Sequence, residues 1–169
     1  MKLPSALLLF SFALLWVGGW TTPVLAADLK ADLVVVEKSQ RRLYLLRDGE
    51  PIRSYRVALG PRPWGHKQHA GDDRTPEGWY ILDLKKADSE FYRAIRISYP
   101  NLMDRVRAEQ AGLDPGGAIM IHGQPANSEQ PPELAQLFNW TSGCIAVTNE
   151  EMDEIWAAVD VGTPIHIKP

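Results

Sequence analysis

Apolar and polar positions change rhythm along this chain, and each change predicts an element. From Leu33 to Gly60 the chain reads "LVVVEKSQRRLYLLRDGEPIRSYRVALG". Val34-Val35-Val36 and Leu43-Tyr44-Leu45-Leu46 are β-branched, aromatic and aliphatic runs that suit a pleated, half-buried surface. Asp48-Gly49 between them and "IRSYRVALG" is a tight-turn pair, able to adopt positive φ at both central positions. "WYILDLKK", "AIRISYP", the nearly all-apolar "AIMIHG" and the closing "TPIHIKP" predict further strands. Pro61 to Gly78 carries Gly, Pro and charge without a period, and predicts a long loop.

Helical spacing enters in three places. Asn101 to Ala111 holds good helix formers. "QPANSEQPPELAQLF" predicts a loop leading into a short helix, with Pro132 suited to its first turn. In "TNEEMDEIWAAV", Thr148 is an N-cap, Glu151 completes a capping box, and Met152, Ile155, Trp156 and Val159 fall on one face. The expected fold is therefore mainly β, a β-rich sandwich or barrel-like core with about three short helices at one end.

The first residues follow a different pattern. Met1-Lys2-Leu3-Pro4 is a short basic start. "SALLLFSFALLWVGGW" is an apolar run too short to span a bilayer comfortably, and Val24-Leu25-Ala26 offers small residues near a cleavage point. This is the three-part pattern of a secretory signal peptide over residues 1–26, cut after Ala26 or, as the near alternative, after Ala27. An uncleaved N-terminal anchor is the competing reading. No cysteine follows the run, which excludes a lipoprotein anchor, and no later stretch is apolar enough for a permanent membrane span. Residues 27–169 then form a single domain, long enough to bury a core without disulfides. The expected location is outside the cytoplasm, in the periplasm or cell envelope.

Composition narrows the function classes. The chain of 169 residues carries a formal net charge of −3. There is no basic stripe and no aromatic–basic alternation, so nucleic acid is not an expected partner. Cys144 is the single cysteine. In an exported protein an odd cysteine is an intermolecular link, a buried inert thiol or a reactive one.

Its neighbours favour reactivity. Cys144 follows Gly143, which permits a turn that a side chain would resist, and it precedes a capped helix whose dipole is expected to stabilise a thiolate. Turns of this kind direct N–H groups outward, where a developing oxyanion can be held. A thiol nucleophile needs a base. Among the four histidines, His66 and His69 lie in the long loop, and His166 alternates with Ile165 and Ile167 and so faces away from the core. His122 ends an apolar strand and precedes Gly123, a placement that faces a site.

"IMIHG" followed downstream by "TSGCIAVTN" resembles the L,D-transpeptidase catalytic domain, the YkuD-like (ErfK/YbiS/YcfS/YnhG) family. The matching residues are His122-Gly123 and Thr141-Ser142-Gly143-Cys144-Ile145. "GDDRTPEGWY", Gly71 to Tyr80, is similar to the family's upstream Gly-Asp-x-x-Thr-Pro-x-Gly segment. The resemblance runs from about Leu33 to the C-terminus. It implies a catalytic pair, with Cys144 as nucleophile and His122 as proton donor and acceptor. It further implies an imidazole oriented by the carbonyl of Gly123, and an oxyanion held by N–H groups around Gly143 and Cys144. The implied substrates are peptidoglycan stem peptides, with a wall-linked protein as an alternative, through a thioester and with no metal or organic cofactor.

The sequence departs from the family pattern at Ser142, where many members carry His, and at Ala146, where many carry Arg or Asn. "ISYPNLMDR" with "CIAVTN" is similar to a subgroup that includes a hydrolase releasing proteins from peptidoglycan. Transfer to an amine and transfer to water are both open, and the Ala146 departure bears on substrate choice. Other readings compete. His66-x-x-His69 with Asp72 and Asp73 has some metal-ligand character. A non-catalytic wall-binding module would explain export without using Cys144. Arg74 in the long loop could meet a substrate carboxylate, although loop arginines are usually solvated.

Overall fold

The structure, a computed structural model, describes residues 30–125 and 131–169. The expected signal peptide lies outside the described residues. Strands β1 (Leu33–Glu37), β2 (Arg42–Arg47) and β3 (Glu50–Arg56) form an antiparallel meander. Asp48 and Gly49 join β2 to β3 at φ of 54° and 84°, the left-handed geometry that Asp tolerates and Gly adopts freely. Strands β4 (Gly78–Ser89) and β5 (Tyr92–Ile97) form a second hairpin. Two short strands, β6 (Met120–His122) and β7 (Ile145–Ala146), lie parallel to each other, and β8 (Pro164–Lys168) returns parallel to β1. The helices are α1 (Leu102–Gln110), α2 (Pro132–Ala135) and α3 (Asn149–Ala158).

All eight strands share one sheet in the order β3-β2-β1-β8-β4-β5-β6-β7. Strand β4 links its halves, pairing first with β8 and then with β5, with a register shift between Leu82 and Leu84. The ends of the sheet meet just past β3. There Ala58 and Ala146 exchange two backbone hydrogen bonds of 2.9 Å. The mainly β fold is thus barrel-like, as the alternation of strands predicted.

Inside the roll, Val34, Leu43, Leu82, Ile95, Ile121 and Ile165 are fully buried. Helix α3 adds Met152 and Ile155 to the same core. Each such burial contributes about 1.5–3 kcal/mol. Thr148 caps α3 as expected: its side chain accepts from the Glu151 N–H, and the Glu151 carboxylate accepts from the Thr148 N–H at 2.9 Å. Two details of that helix differ from the periodic reading. Val159 is buried but sits past the helix end in extended geometry. Trp156 is only half-buried, because its ring lies at the rim and takes Lys85 and Arg93 at 5.0 and 5.4 Å from its centroid.

The loop leading to Gly78 is tied down by buried charge rather than left to solvent. Lys38, 2% exposed, donates to the carbonyls of Gly65 and Thr75 and to the Glu77 carboxylate at 2.6–3.0 Å. Buried Lys67 pairs with Asp72 at 2.8 Å. Asp72 also accepts from the N–H groups of Gln68, His69 and Arg74 at 2.7–3.2 Å. Buried Asp104 of α1 receives Tyr80, Arg107 and His66 within 3.1 Å. These partners hold the loop with its Asp73 carbonyl against Gly60 and its Arg74 carbonyl against Gly143.

Candidate active site

One row of residues crosses the closed end of the sheet. The register pairs Lys86 with Ala94, Ala94 with His122, His122 with Ala146, and Ala146 with Ala58. Directly paired residues share a face, so all five point away from the core formed by Ile95, Ile121 and Ile145. His122 is the large residue in a row of alanines. It is 4% exposed, yet it faces out of the barrel, covered by aromatic rings. Phe91 lies 4.6 Å from it, centroid to centroid, and Trp140 lies 5.7 Å from it with the rings inclined at 65°.

The ring orientation is set by the residue that follows. His122 Nδ1 is 2.7 Å from the Gly123 carbonyl oxygen. A carbonyl can only accept, so Nδ1 carries the proton and Nε2 is left as the free lone pair. Gly123 is required on steric grounds. A Cβ there would collide with Asn149 Oδ1 and would meet the Tyr92 Cβ at 3.1 Å. Asn149 Oδ1 in turn accepts from the Gln124 N–H at 2.8 Å, which ties the His-Gly turn to the start of α3.

Cys144 enters β7 from a turn that only glycine can complete. Gly143 has φ of 113°, a left-handed value costly to residues with a Cβ, and a Cβ there would stand 2.5 Å from the Arg74 carbonyl oxygen. The loop fixed by Lys38, Lys67 and Asp72 therefore packs its backbone directly against the turn before the thiol. Thr141 closes that turn: its hydroxyl donates to the Cys144 carbonyl at 2.7 Å and accepts the Gly143 N–H at 3.3 Å. The Cys144 Sγ lies 3.6 Å from the Ala118 carbonyl oxygen. His122 and Cys144 both line a cleft of about 300 Å³, together with Lys86, Ser89, Glu90 and Phe91.

The electrostatics favour a neutral resting pair. Burial pushes the Cys144 thiol above its ordinary range; the Met120 N–H and the charge of Lys67 oppose this only in part. Burial likewise lowers His122 below its ordinary value, partly offset by the Gly123 carbonyl. This corrects the expectation that α3 stabilises a thiolate. The first N–H groups of α3 are occupied by the Thr148–Glu151 capping box, and Ile145 to Val147 separate the thiol from that helix end. Desolvation, not the dipole, dominates.

The other candidates have different places. His66 is held between the Glu77 backbone at 3.0 Å and Asp104 at 3.1 Å, while His69 meets the Ala70 carbonyl at 2.8 Å. Asp72 is saturated by the loop, so these four do not converge as a ligand set, and among the described residues no group of His, Cys, Asp and Glu does. Arg74 meets the site through its carbonyl rather than its guanidinium. His166 faces outward and stacks on Trp79 at 4.2 Å. Sequence reasoning missed Asn149, Phe91, Trp140 and Lys86: Lys86 reaches the site through strand pairing, Phe91 from the turn between β4 and β5, Trp140 from the loop before the thiol and Asn149 from the start of α3. Thr141 lay inside the quoted motif, but its hydroxyl bridge needs the turn geometry to be seen. Among the described residues, no helix is long and apolar enough to cross a membrane.

Comparison with known proteins points to one family. The L,D-transpeptidase catalytic domain (YkuD) matches residues 31–167. YafK of Escherichia coli K12, provisionally named an L,D-transpeptidase, is 35% identical over 118 residues, which is 69% of this chain and 38% of YafK. YqjB of Bacillus subtilis, also provisionally named an L,D-transpeptidase, is 28% identical over 138 residues, 79% of this chain and 69% of YqjB. The crystal structure of Pgp2 from Campylobacter jejuni, a helical cell shape determining protein, superposes with a TM-score of 0.62 at 28% identity. It covers 81% of this chain and 48% of the Pgp2 chain. This chain thus spans less than half the length of YafK and of Pgp2.

Proposed function

The chain belongs to the L,D-transpeptidase catalytic-domain family, and from that premise we propose that it is an exported, cysteine-dependent L,D-transpeptidase acting on peptidoglycan stem peptides. The observation that carries the reading is the His122 tautomer. Its Nδ1 proton is committed to the Gly123 carbonyl at 2.7 Å, and His122 lines the same cleft as Cys144. A base and a nucleophile in one desolvated cleft are what acyl transfer through a thioester requires.

In the proposed reaction His122 Nε2 takes the thiol proton as Cys144 Sγ attacks the carbonyl of an amide between an L- and a D-configured centre. The C–S bond forms, and the carbonyl π pair moves to oxygen. The Cys144 N–H holds that oxyanion, joined by Gly143 as its long bond to Thr141 is exchanged. The oxyanion re-forms the carbonyl and the C–N bond breaks. The imidazolium gives its proton to the leaving amine, and a thioester remains. His122 then takes a proton from an incoming amine as that amine attacks the thioester; the C–S bond breaks, and the imidazolium returns the proton to the leaving Cys144 thiolate. The product is a cross-link or a protein attachment in the cell wall. Water in place of the amine would make the enzyme a hydrolase of peptidoglycan or of wall-linked proteins. The signal peptide delivers the enzyme to the periplasm or cell envelope.

The test is a tetrapeptide muropeptide supplied with and without a diamino-acid acceptor, beside a wall-linked protein, with products read by mass. Loss of terminal D-Ala with a new cross-link supports transfer. Release of a wall-linked protein without D-Ala exchange makes the enzyme a hydrolase. Wall binding by Cys144→Ala with no chemistry by the wild type would make it a binding module.

A further inference from the structure

A second cross-strand row runs over the outer face of β3, β2, β1, β8 and β4, on the half of the barrel away from the thiol. The register pairs Ser54 with Tyr44, Tyr44 with Val35, Val35 with His166 and His166 with Trp79. Trp79 is 59% exposed, yet its ring is held flat on His166, 4.2 Å away and inclined by 8°. Residues two apart on a strand share its face. That places Leu46, Leu33, Pro164 and Ile81 on one side of the row, and Arg56, Arg42, Glu37 and Lys168 on the other. An exposed aromatic and apolar surface of this kind marks an interaction site.

The charges at its two ends decide what covers it. Arg42 and Arg56 stand directly opposite each other across β2 and β3, an arrangement that destabilises an isolated sheet. Among the described residues neither forms an ion pair, and Glu37, the other cross-strand neighbour of Arg42, is engaged with Lys168 at 3.8 Å. At the opposite end of the same two strands, the exposed acids Asp48 and Glu50 close the β2–β3 turn. The face is therefore cationic at one end, apolar in the middle and anionic at the other. A surface of one sign, such as an anionic bilayer, would match one end and be repelled by the other. The same face turned end for end matches both.

We propose that this face is a homodimer interface, formed with a second copy of the chain about a twofold axis that runs along the row from Ser54 to Trp79. Rotation about that axis lays each strand antiparallel over itself. Trp79 meets Trp79 of the second copy, and Arg56 comes to lie beside Glu50 of the second copy, with the reciprocal pair on the other side of the axis. Five strands about 4.8 Å apart and five residues at about 3.3 Å give a flat area of about 400 Å² per copy. That is below the roughly 800 Å² of a standard interface, so the dimer is weak and reversible. In the sheet order β8 lies three strands from β6, which carries His122, so both catalytic clefts face outward and stay open.

The test is sedimentation velocity of the exported, processed chain from low to high micromolar concentration. The protein should pass from monomer to dimer over that range, and raised salt should weaken the association. Trp79→Ala, Arg56→Glu and Glu50→Arg should each raise the dissociation constant about 10-fold or more, because every contact occurs twice. The double variant Arg56→Glu/Glu50→Arg exchanges the two signs and should recover most of the affinity. Melting of the dilute variants should show a cooperative folded monomer, which separates loss of the interface from loss of the fold. A chain that stays monomeric at high micromolar concentration overturns the proposal. So does a dimer that ignores Trp79→Ala, or a double variant that associates no better than the single ones, since either places the contact on another face.

Discussion

The His122 Nδ1 proton is held by the carbonyl of its own neighbour, Gly123, at 2.7 Å. Among the described residues no carboxylate orients this imidazole, so the bond fixes the tautomer without adding negative charge beside the ring. The base is therefore weaker than one backed by an aspartate, and burial weakens it further. His122→Ala should lower turnover by about two to four orders of magnitude, the range of a general acid–base group. Cys144→Ala should abolish thioester formation, and it removes too little volume to disturb the fold. Turnover at the wild-type rate in Cys144→Ala would sink the mechanism.

The same environment sets the pH profile. The productive form has a neutral thiol and a neutral imidazole, because the base must be free to accept the proton. His122 is depressed below its ordinary 6.5, so activity should fall only as pH drops below that value. Cys144 is raised above its ordinary 9.0, so no thiolate titration should appear near neutrality. The expected profile of kcat/KM is a broad plateau with its acid limb below about 6.5. Iodoacetamide labelling of Cys144 against pH gives an independent reading, and should accelerate only above the ordinary thiol range. Rapid labelling at pH 7 like that of a stable thiolate would contradict this view.

Gly143 supports a sharper structural prediction. Its φ is 113°, and a methyl group on its Cα would stand 2.5 Å from the Arg74 carbonyl oxygen, which leaves no room for a side chain. Gly143→Ala must twist the turn or push the loop away, at a cost of about 1–3 kcal/mol for the backbone strain alone. Activity should fall further than stability, since the displaced atoms adjoin Sγ. Thermal melting and turnover measured on one preparation separate the two losses. An alanine variant with unchanged kcat would show that the turn is not what positions the thiol.

Much of this is legible in the sequence, and the remainder has physical reasons for being hidden. The capping box of α3, the Asp48-Gly49 turn and the strand runs depend on residues close in sequence, and each appears where predicted. Cys144, His122, Gly143 and Gly123 stand out because glycine beside a polar group at an element end is a local signal. The Lys86–Ala94–His122–Ala146–Ala58 row is not local. It needs the register of four strand pairings, and no single stretch encodes it. The thiol environment departs from expectation for a related reason. A dipole argument uses sequence proximity, whereas desolvation depends on what the fold places around the sulfur.

Asp72 links the stability of the long loop to acid. Burial alone would raise its carboxyl, but the N–H groups of Gln68, Arg74 and His69 and the Lys67 ammonium outweigh that and hold it at about 2. A folded-state value below the ordinary 3.8 means stability that is fully present above that pH and lost as pH falls toward 2. Asp72→Asn leaves the Lys67 ammonium buried without its counter-charge, which costs about 3–5 kcal/mol when a buried pair loses one partner. Urea unfolding at pH 7 should show that loss, and the gap from wild type should narrow below pH 4. The double variant Lys67→Met/Asp72→Asn should be less destabilised than the sum of the singles.

Ala146 is where the chain departs from the Arg or Asn carried by many members of its family, and its surroundings predict what restoring that residue would do. It lies between His122 and Ala58 in the cross-sheet row and is fully buried. Its backbone closes the barrel through the two bonds to Ala58. A long side chain there has no cleft to enter, and must displace either the covering residues or the His122 imidazole. Ala146→Arg should therefore destabilise the fold by more than the about 1–3 kcal/mol of simple overpacking, because a charge is buried as well. It should also lower kcat by moving the base. Ala146→Ser, which adds one oxygen, should be far better tolerated. Melting curves and turnover for the two variants decide the matter. An arginine variant that folds as stably as the wild type and turns over faster would mean that this face opens to substrate, and that recognition runs past Ala146.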